Sequence, residues 1–281
     1  MPIHPAAPDT IRFWRDPLLP YLEARYAAYA ECTLARHAHD QYSVACVMAG
    51  ERHFFFRNAQ HAVGPGDITC IDPGEIHACA PRSDSGLTYC MYYIEADWFT
   101  AFAAEVIGPD SHPPSFTRNI ITAPSLFKNL VALYPFLEKP SSRLEKESRI
   151  RTALAPLVRS HCGQPRPARA PSPATDRIER VRIHLRGNLT ENVSLETLAT
   201  LAGVSPYHLL RTFKKATGLA PHAYQNQLRI THAKSLIAAG VPLCQAALEA
   251  GFSDQCHFAK MFKRHVGATP RQYKMGGAPR G

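Results

Sequence analysis

A helix, tight turn, helix device occurs twice in the last third of this 281-residue chain, and no other feature limits the fold as much. The first copy reads SLETLATLAGVSPYHLLRTFKKATG, from Ser194 to Gly218; the second reads PLCQAALEAGFSDQCHFAKMFKRHVG, from Pro242 to Gly267. In each, an apolar-periodic segment reaches a glycine (Gly203, Gly251). A serine two residues on (Ser205, Ser253) is then placed to cap a second helix that ends in basic residues. In that second helix Leu209 with Phe213, and Phe258 with Phe262, stand at i and i+4, so one face turns inward. The other face carries Tyr207, His208, Arg211 and Lys215 in the first copy and Gln255, Cys256, Lys260 and Arg264 in the second. Such side chains reach base edges and phosphates in a major groove. A solvated basic face explains a single copy equally well, and the tandem favours DNA. Between the copies, PHAYQNQLRITHAKSLIAAG predicts a helix with Pro221 in its first turn and Gly240 at its stop, anchored by Leu228, Ala233, Leu236 and Ile237. Its roughly 18 residues make a rod of about 27 Å, near the roughly 34 Å that separates successive major-groove turns on one DNA face.

Charge marks where the chain divides. Residues 174–281 carry 15 Lys and Arg against 6 Asp and Glu, which accounts for the whole formal charge of +9. A basic segment beside a neutral one suits a polyanion. A membrane surface fits the charge too, but no strongly apolar helical face accompanies it. The eight cysteines show no CxxC pair and read as reduced core residues, with redox sensing by Cys46, Cys70 or Cys79 a minor alternative. No signal-like start and no membrane-length apolar run is present, so a cytoplasmic protein without membrane contact is expected.

The stretches LATLAGVSPYHLLRTFKKATG, QLRITHAKSLI and AALEAGFSDQCHFAKMFKRHVGATPRQYK resemble the AraC/XylS family of bacterial transcription regulators over about 100 C-terminal residues. That resemblance implies sequence-specific binding of double-stranded DNA, with RNA polymerase as a further partner. Bases would be met by Tyr207, Leu210 and Arg211 from the first reading helix and by Gln255, Cys256 and Lys260 from the second. His208, Lys215 and Arg264, with Ser205 and Asp254 at the helix starts, complete the DNA-binding set. Leu210 and Cys256 depart from the polar residues usual there: Leu210 either meets a thymine methyl or belongs to the core.

Upstream the periodicity changes to two. CTLARH, YSVACVM, RHFFFRN, ITCID and LTYCMYYI read as short strands separated by AGE, NAQ, GPGD and PGE turns, the pattern of an antiparallel barrel or sandwich. His37 and His39 share strand parity, and GPGDITCIDPGEIHA brings in His77 after a turn. The segment resembles the cupin barrel, with Gly50, Gly66, Gly74 and His77 in its motif frames, the motif proline shifted to Pro73, and Ser43 where metal cupins place a carboxylate. Ser43, Ala45 and Val47 share parity with His39 and leave room inside. Three readings stand open: His37, His39, Ser43 and His77 hold an organic effector, as AraC-type sensors imply; His37, His39 and His77 hold a divalent metal; or the histidines are buried and satisfied. No nucleophile stands beside a base, so catalysis is not expected and no cofactor is required.

The first 28 residues, rich in proline, read as irregular with a short helix near Leu22–Tyr29. After the strands, helices are expected over Asp97–Ile107, Pro124–Tyr134 (ended by Pro135) and Arg143–His161 (kinked by Pro156), with SFTRNII extended between the first two. Their apolar stripes pack on the barrel, form a dimer contact, or both. Pro-rich residues 163–173 read as a linker, and Asp176–Arg186 as a helix that opens the DNA-binding domain.

The expected architecture is therefore α+β and multidomain. Residues 1–162 form a cupin-like antiparallel β-barrel with accessory helices, for effector binding and homodimerisation. Residues 174–275 form an all-α domain of two helix-turn-helix motifs joined by a linker helix, and 276–281 a disordered tail. The alternatives are a metal-dependent cupin enzyme or metal sensor tethered to DNA, and a ligand-independent constitutive regulator.

Overall fold

The computed structural model describes residues 10–29, 33–56, 59–82, 86–109, 112–163 and 173–276. The expected linker and tail, apart from their first or last residues, lie outside the described residues. The chain divides into two units, residues 1–33, 38–167 and 275–281 in one and residues 34–37 and 168–274 in the other.

The strands are β1 (Thr10–Trp14), β2 (Leu22–Tyr29), β3 (Leu34–His37), β4 (Tyr42–Ala49), β5 (Arg52–Phe56), β6 (Ala59–Val63), β7 (Asp67–Ile71), β8 (His77–Pro81), β9 (Leu87–Ile94), β10 (Ser115–Phe116), β11 (Ile120–Thr122) and β12 (Cys162–Gly163). They make an antiparallel six-stranded sheet in the order β1-β2-β9-β4-β7-β11, a four-stranded sheet in the order β3-β8-β5-β6, and a β10-β12 pair. The six-stranded sheet is buried on both faces, and strand alternation assigns each face a separate task. Tyr42, Val44, Cys46, Cys70, Cys90 and Tyr92 face a core capped by three helices, α1 (Ala96–Ile107), α2 (Pro124–Leu137) and α3 (Arg143–His161). Ser43, Ala45 and Val47, one residue out of step, are equally buried and face the opposite way.

The apolar stripes of α2 and α3 (Leu126, Leu130 and Leu133; Ile150, Leu154, Leu157 and Val158) are buried in that core, so packing on the sheet accounts for them. Tyr92 adds a polar tie, its hydroxyl donating to the Leu130 carbonyl at 2.5 Å.

Three expectations are corrected. Leu22–Tyr29 is a strand rather than a helix: every one of its residues pairs across to β9, Leu22 opposite Ile94 through Tyr29 opposite Leu87. The irregular N-terminal arm accordingly contains β1 and β2. Pro135 does not end α2, which runs to Leu137 and closes with the Glu138 N–H on the Tyr134 carbonyl; a missing N–H so near the end disturbs little. Part of the NAQ turn belongs to strand β6, and β8 begins at His77 itself.

Residues 173–275 are helical: α4 (Pro173–Gly187), α5 (Leu195–Ala202), α6 (Pro206–Thr217), α7 (Pro221–Ala238), α8 (Leu243–Glu249), α9 (Gln255–Val266) and α10 (Pro270–Met275). Leu209 and Phe213 of α6 and Phe258 and Phe262 of α9 are buried, as their i, i+4 spacing requires. The connecting helix α7 buries Tyr224, Ile230, Ala233 and Ile237, while Leu228 and Leu236 are half-buried. It also buries Arg229, whose Nε donates to the Leu189 carbonyl at 2.6 Å and whose Nη2 donates to Glu191 at 3.0 Å. Gln225, one turn earlier, donates to the Asn188 and Glu191 carbonyls at 3.3 and 2.9 Å. The loop between α4 and α5 is thus bonded to α7 through its own backbone.

The same loop meets the turn of the second motif. Gly251 has φ +82, and a Cβ there would lie 2.8 Å from Thr190 Cα and 3.2 Å from the Leu189 carbonyl oxygen. Gly203, the matching glycine of the first motif, has φ +64 with nothing near its missing Cβ. Gly203→Ala should therefore cost only the left-handed strain, about 1–2 kcal/mol. Gly251→Ala should cost clearly more, since rigid backbone must also move. Urea unfolding followed by helical circular dichroism checks the order; equal losses would contradict it.

Candidate nucleic-acid interface and barrel pocket

Both reading helices are presented by capped N-termini. At α6 the Ser205 Oγ accepts from the His208 N–H at 3.3 Å. At α9 the cap is Asp254 rather than the expected Ser253: its two carboxylate oxygens accept from the Cys256 and His257 N–H groups at 2.9 and 3.1 Å. Those bonds hold its carboxyl below the usual range. Its carboxylate thereby satisfies two of the orphan N–H groups at the helix start. Asp254 thus serves α9 from within the expected DNA-binding set.

Every residue of that set, Asp254 included, is exposed. Tyr207 is 75% exposed and stands with His208, Arg211 and Lys215 on α6; Gln255, Cys256, Lys260 and Arg264 are exposed on α9. Leu210, at 38% exposure, lines a hollow with Leu185, Leu198 and Pro221, so it is a rim residue, neither core nor fully free. The glycine caps Gly218 and Gly267, both at positive φ, end the two helices directly after their basic turns.

His37 at the end of β3, His39 in the loop that follows and His77 at the start of β8 have their ligand-capable atoms within 4.8 Å of one another. The His39 and His77 rings meet edge to face at 4.9 Å. Each Nδ1 faces a backbone carbonyl: His37 that of Ala35 at 2.8 Å, His39 that of Gln41 at 2.9 Å, and His77 that of Glu75 at 3.0 Å. Neutral rings so held carry the proton on Nδ1, which makes each Nε2 the lone-pair nitrogen. Ser43 is 1% exposed, and its Oγ has no hydrogen-bond partner among the described residues. The motif glycines Gly50, Gly66 and Gly74 all have positive φ, a backbone conformation that favours glycine.

The strand-rich part of the chain also buries two arginines. Arg25 and Arg52 are 1% and 0% exposed. Arg52 shares strand parity with Phe54 and Phe56, so period-two alternation in RHFFF already signals an inward charge.

A strand-rich domain carrying a cluster of three histidines and a basic unit with two exposed reading helices define a ligand-responsive DNA-binding regulator. Comparison with known proteins agrees. Residues 19–154 match the AraC-like ligand binding domain and residues 198–276 a helix-turn-helix domain. The uncharacterized HTH-type transcriptional regulator YbfI of Bacillus subtilis is 32% identical over 221 residues, 79% of this chain and 80% of that protein. The transcriptional activator RhaS of an Enterobacter species is 24% identical over 250 residues, 88% and 89% of the two chains. In fold, the chain is similar to apo ToxT of Vibrio cholerae, with TM-score 0.58 and 12% identity over 92% of this chain and 98% of that one. Another ToxT structure holds an unsaturated fatty acid. The chain belongs to the AraC-type family of helix-turn-helix transcriptional regulators, with a ligand-binding domain and a DNA-binding domain.

Burial, and then the neighbouring His39, pushes the His77 pKa down to about 3 from 6.5. The unfolded chain therefore takes up a proton near pH 6.5 that the native state refuses. This contribution to stability is complete above that pH and falls as pH drops toward 3, by about 1.4 kcal/mol per unit for one group. His77→Gln should flatten the decline in urea midpoint between pH 7 and 5. Parallel pH dependence in the two proteins would contradict the shift.

Proposed function

We propose that this regulator reads an asymmetric DNA site through the exposed faces of α6 and α9 and that a small molecule in the strand-built pocket controls its occupancy. The observation that carries the DNA half is the pair of capped, exposed basic helices joined by one bonded helix, α7. Arg211 and Lys260 stand where they can contact bases, and Lys215 and Arg264, a turn further on, are placed for phosphates. One chain then spans about two major-groove turns.

Control is linkage: a ligand changes DNA binding only by its different affinity for the arrangements of the chain that bind DNA well and badly. His37, His39, Ser43 and His77 supply hydrogen-bonding groups to that pocket. The protein works as a cytoplasmic homodimer, engages RNA polymerase at its promoters, and is a regulator rather than an enzyme, as its relatives are named. Because the apolar stripes of α2 and α3 are buried, a dimer contact on these helices must use their outward residues. No helix among the described residues is long and apolar enough to cross a membrane.

A second reading of the pocket rests on the three Nδ1-to-carbonyl bonds, since metal-bound imidazoles are oriented by such outer bonds. The three histidines would then hold a divalent transition metal, with Ser43 offering a hydroxyl in place of a carboxylate. Metal analysis of protein purified without chelators separates the readings: stoichiometric zinc, iron or manganese favours the second, and its absence favours the first.

Arg211→Ala should weaken specific DNA binding by about 1–3 kcal/mol and relax base preference. Lys215→Ala should lower affinity across all sequences and reduce the salt slope by about one. Gel-shift titrations at several salt concentrations, on selected and random DNA, check both. An Arg211→Ala protein that kept its preference for the selected site would sink the base-contact assignment.

A further inference from the structure

Arg52 opens β5, and none of its surface reaches solvent. It lies on the strand face that carries Phe54 and Phe56, and Phe54 approaches His77 with ring centroids 6.3 Å apart. Its side chain makes one hydrogen bond, Nη1 donating to the Glu51 carbonyl at 3.1 Å. Nε and Nη2 have no partner among the described residues.

A buried lysine or carboxyl in this position could shed its charge, but a guanidinium cannot. The unmet edge, Nε with Nη2, is also the edge that takes a carboxylate with two parallel hydrogen bonds. Arg25 shows how the same unit accommodates a buried guanidinium that is part of the fabric. It lies 5.2–5.7 Å from the ring centroids of Phe13, Tyr29 and Tyr89 and donates to the Tyr29 hydroxyl. Arg52 has no such aromatic setting among the described residues.

We propose that Arg52 is the anion-binding group of the effector pocket and that the effector is a small organic carboxylate. Its apolar body would lie along Phe54 and Phe56, whose rings are stacked 6.2 Å apart, toward the imidazoles. Four residues of strand separate Arg52 from Phe56, about 13 Å, which sets the length of ligand the face accommodates. The inference rests on the sensor reading above and gives that sensor its chemical class.

The test is thermal unfolding of the full chain with hexanoate, decanoate, benzoate and phenylacetate, each beside its primary amide, and with inorganic phosphate. At least one acid should raise the midpoint saturably while its amide does not. Arg52→Leu should unfold no earlier than the parent without ligand, because it removes a buried unpaired charge, and should weaken acid binding by at least about 10-fold. Should Arg52→Leu fail to fold, Arg52→Lys decides: it keeps the charge without the fork, and acid binding weakened by at least about 10-fold supports the proposal while unchanged binding overturns it. A response to no acid, an equal response to acid and amide, or a response to phosphate alone also overturns it. Neutral compounds that act where acids do not would overturn the carboxylate and leave the sensor reading standing. Acid binding through Arg52 with no effect on DNA affinity would do the reverse.

Discussion

The bonds from Arg229 to the Leu189 and Glu191 carbonyls are what the DNA-binding unit depends on. They bury a cation on α7 and satisfy it with backbone oxygens of the α4–α5 loop, so the loop cannot shift without exposing or orphaning a charge. Gln225 adds two bonds to the same loop, and Gly251 brings the turn of the second motif against Thr190. The loop before the first motif, the helix between the motifs and the turn within the second therefore meet at 188–191. Two reading helices linked only by apolar contacts could slide; linked through a bonded polar junction, they keep one spacing. A fixed spacing is what reading two successive groove turns from one chain demands.

The strand-rich unit solves a different problem with the same sheet alternation. One face of the six-stranded sheet is closed by α1, α2 and α3 in an aromatic and aliphatic core, which supplies stability. The other face carries the buried Ser43 hydroxyl, and the separate four-stranded sheet carries His37, His77 and the inward Arg52 guanidinium, the imidazoles with their Nδ1 protons held by carbonyls. Two of the buried arginines, Arg229 and Arg52, show the contrast. The first is bonded by the chain through two of its nitrogens, whereas the second has two nitrogens without a partner among the described residues.

Much of this was legible in the sequence, for local reasons. The helix-turn-helix copies declare themselves through glycine C-caps, N-cap side chains and i, i+4 apolar pairs, all of which act within a few residues. The histidine cluster was legible from the short spacing of His37 and His39 and from the turn motif before His77, although His39 lies in the loop after β3 rather than on a shared strand. The misses have non-local causes. β2 looks helical in LEARYAAY because alanine favours helix, and pairing with β9 along its whole length overrides that preference. Ser253 and Asp254 are both competent caps, and the choice between them depends on how the chain enters α9. The junction at 188–191 was invisible because Arg229 and Gln225 look like ordinary surface residues of a helix until the loop folds over them.

Hydroxyl-radical footprinting of the purified chain on a site selected from random-sequence DNA tests the central claim most directly. The account predicts, for each bound chain, two protected stretches on one face of the duplex about one helical turn apart, with the same spacing on every selected site. A single protected stretch, or two whose spacing varies from site to site, would contradict a rigid two-helix reader.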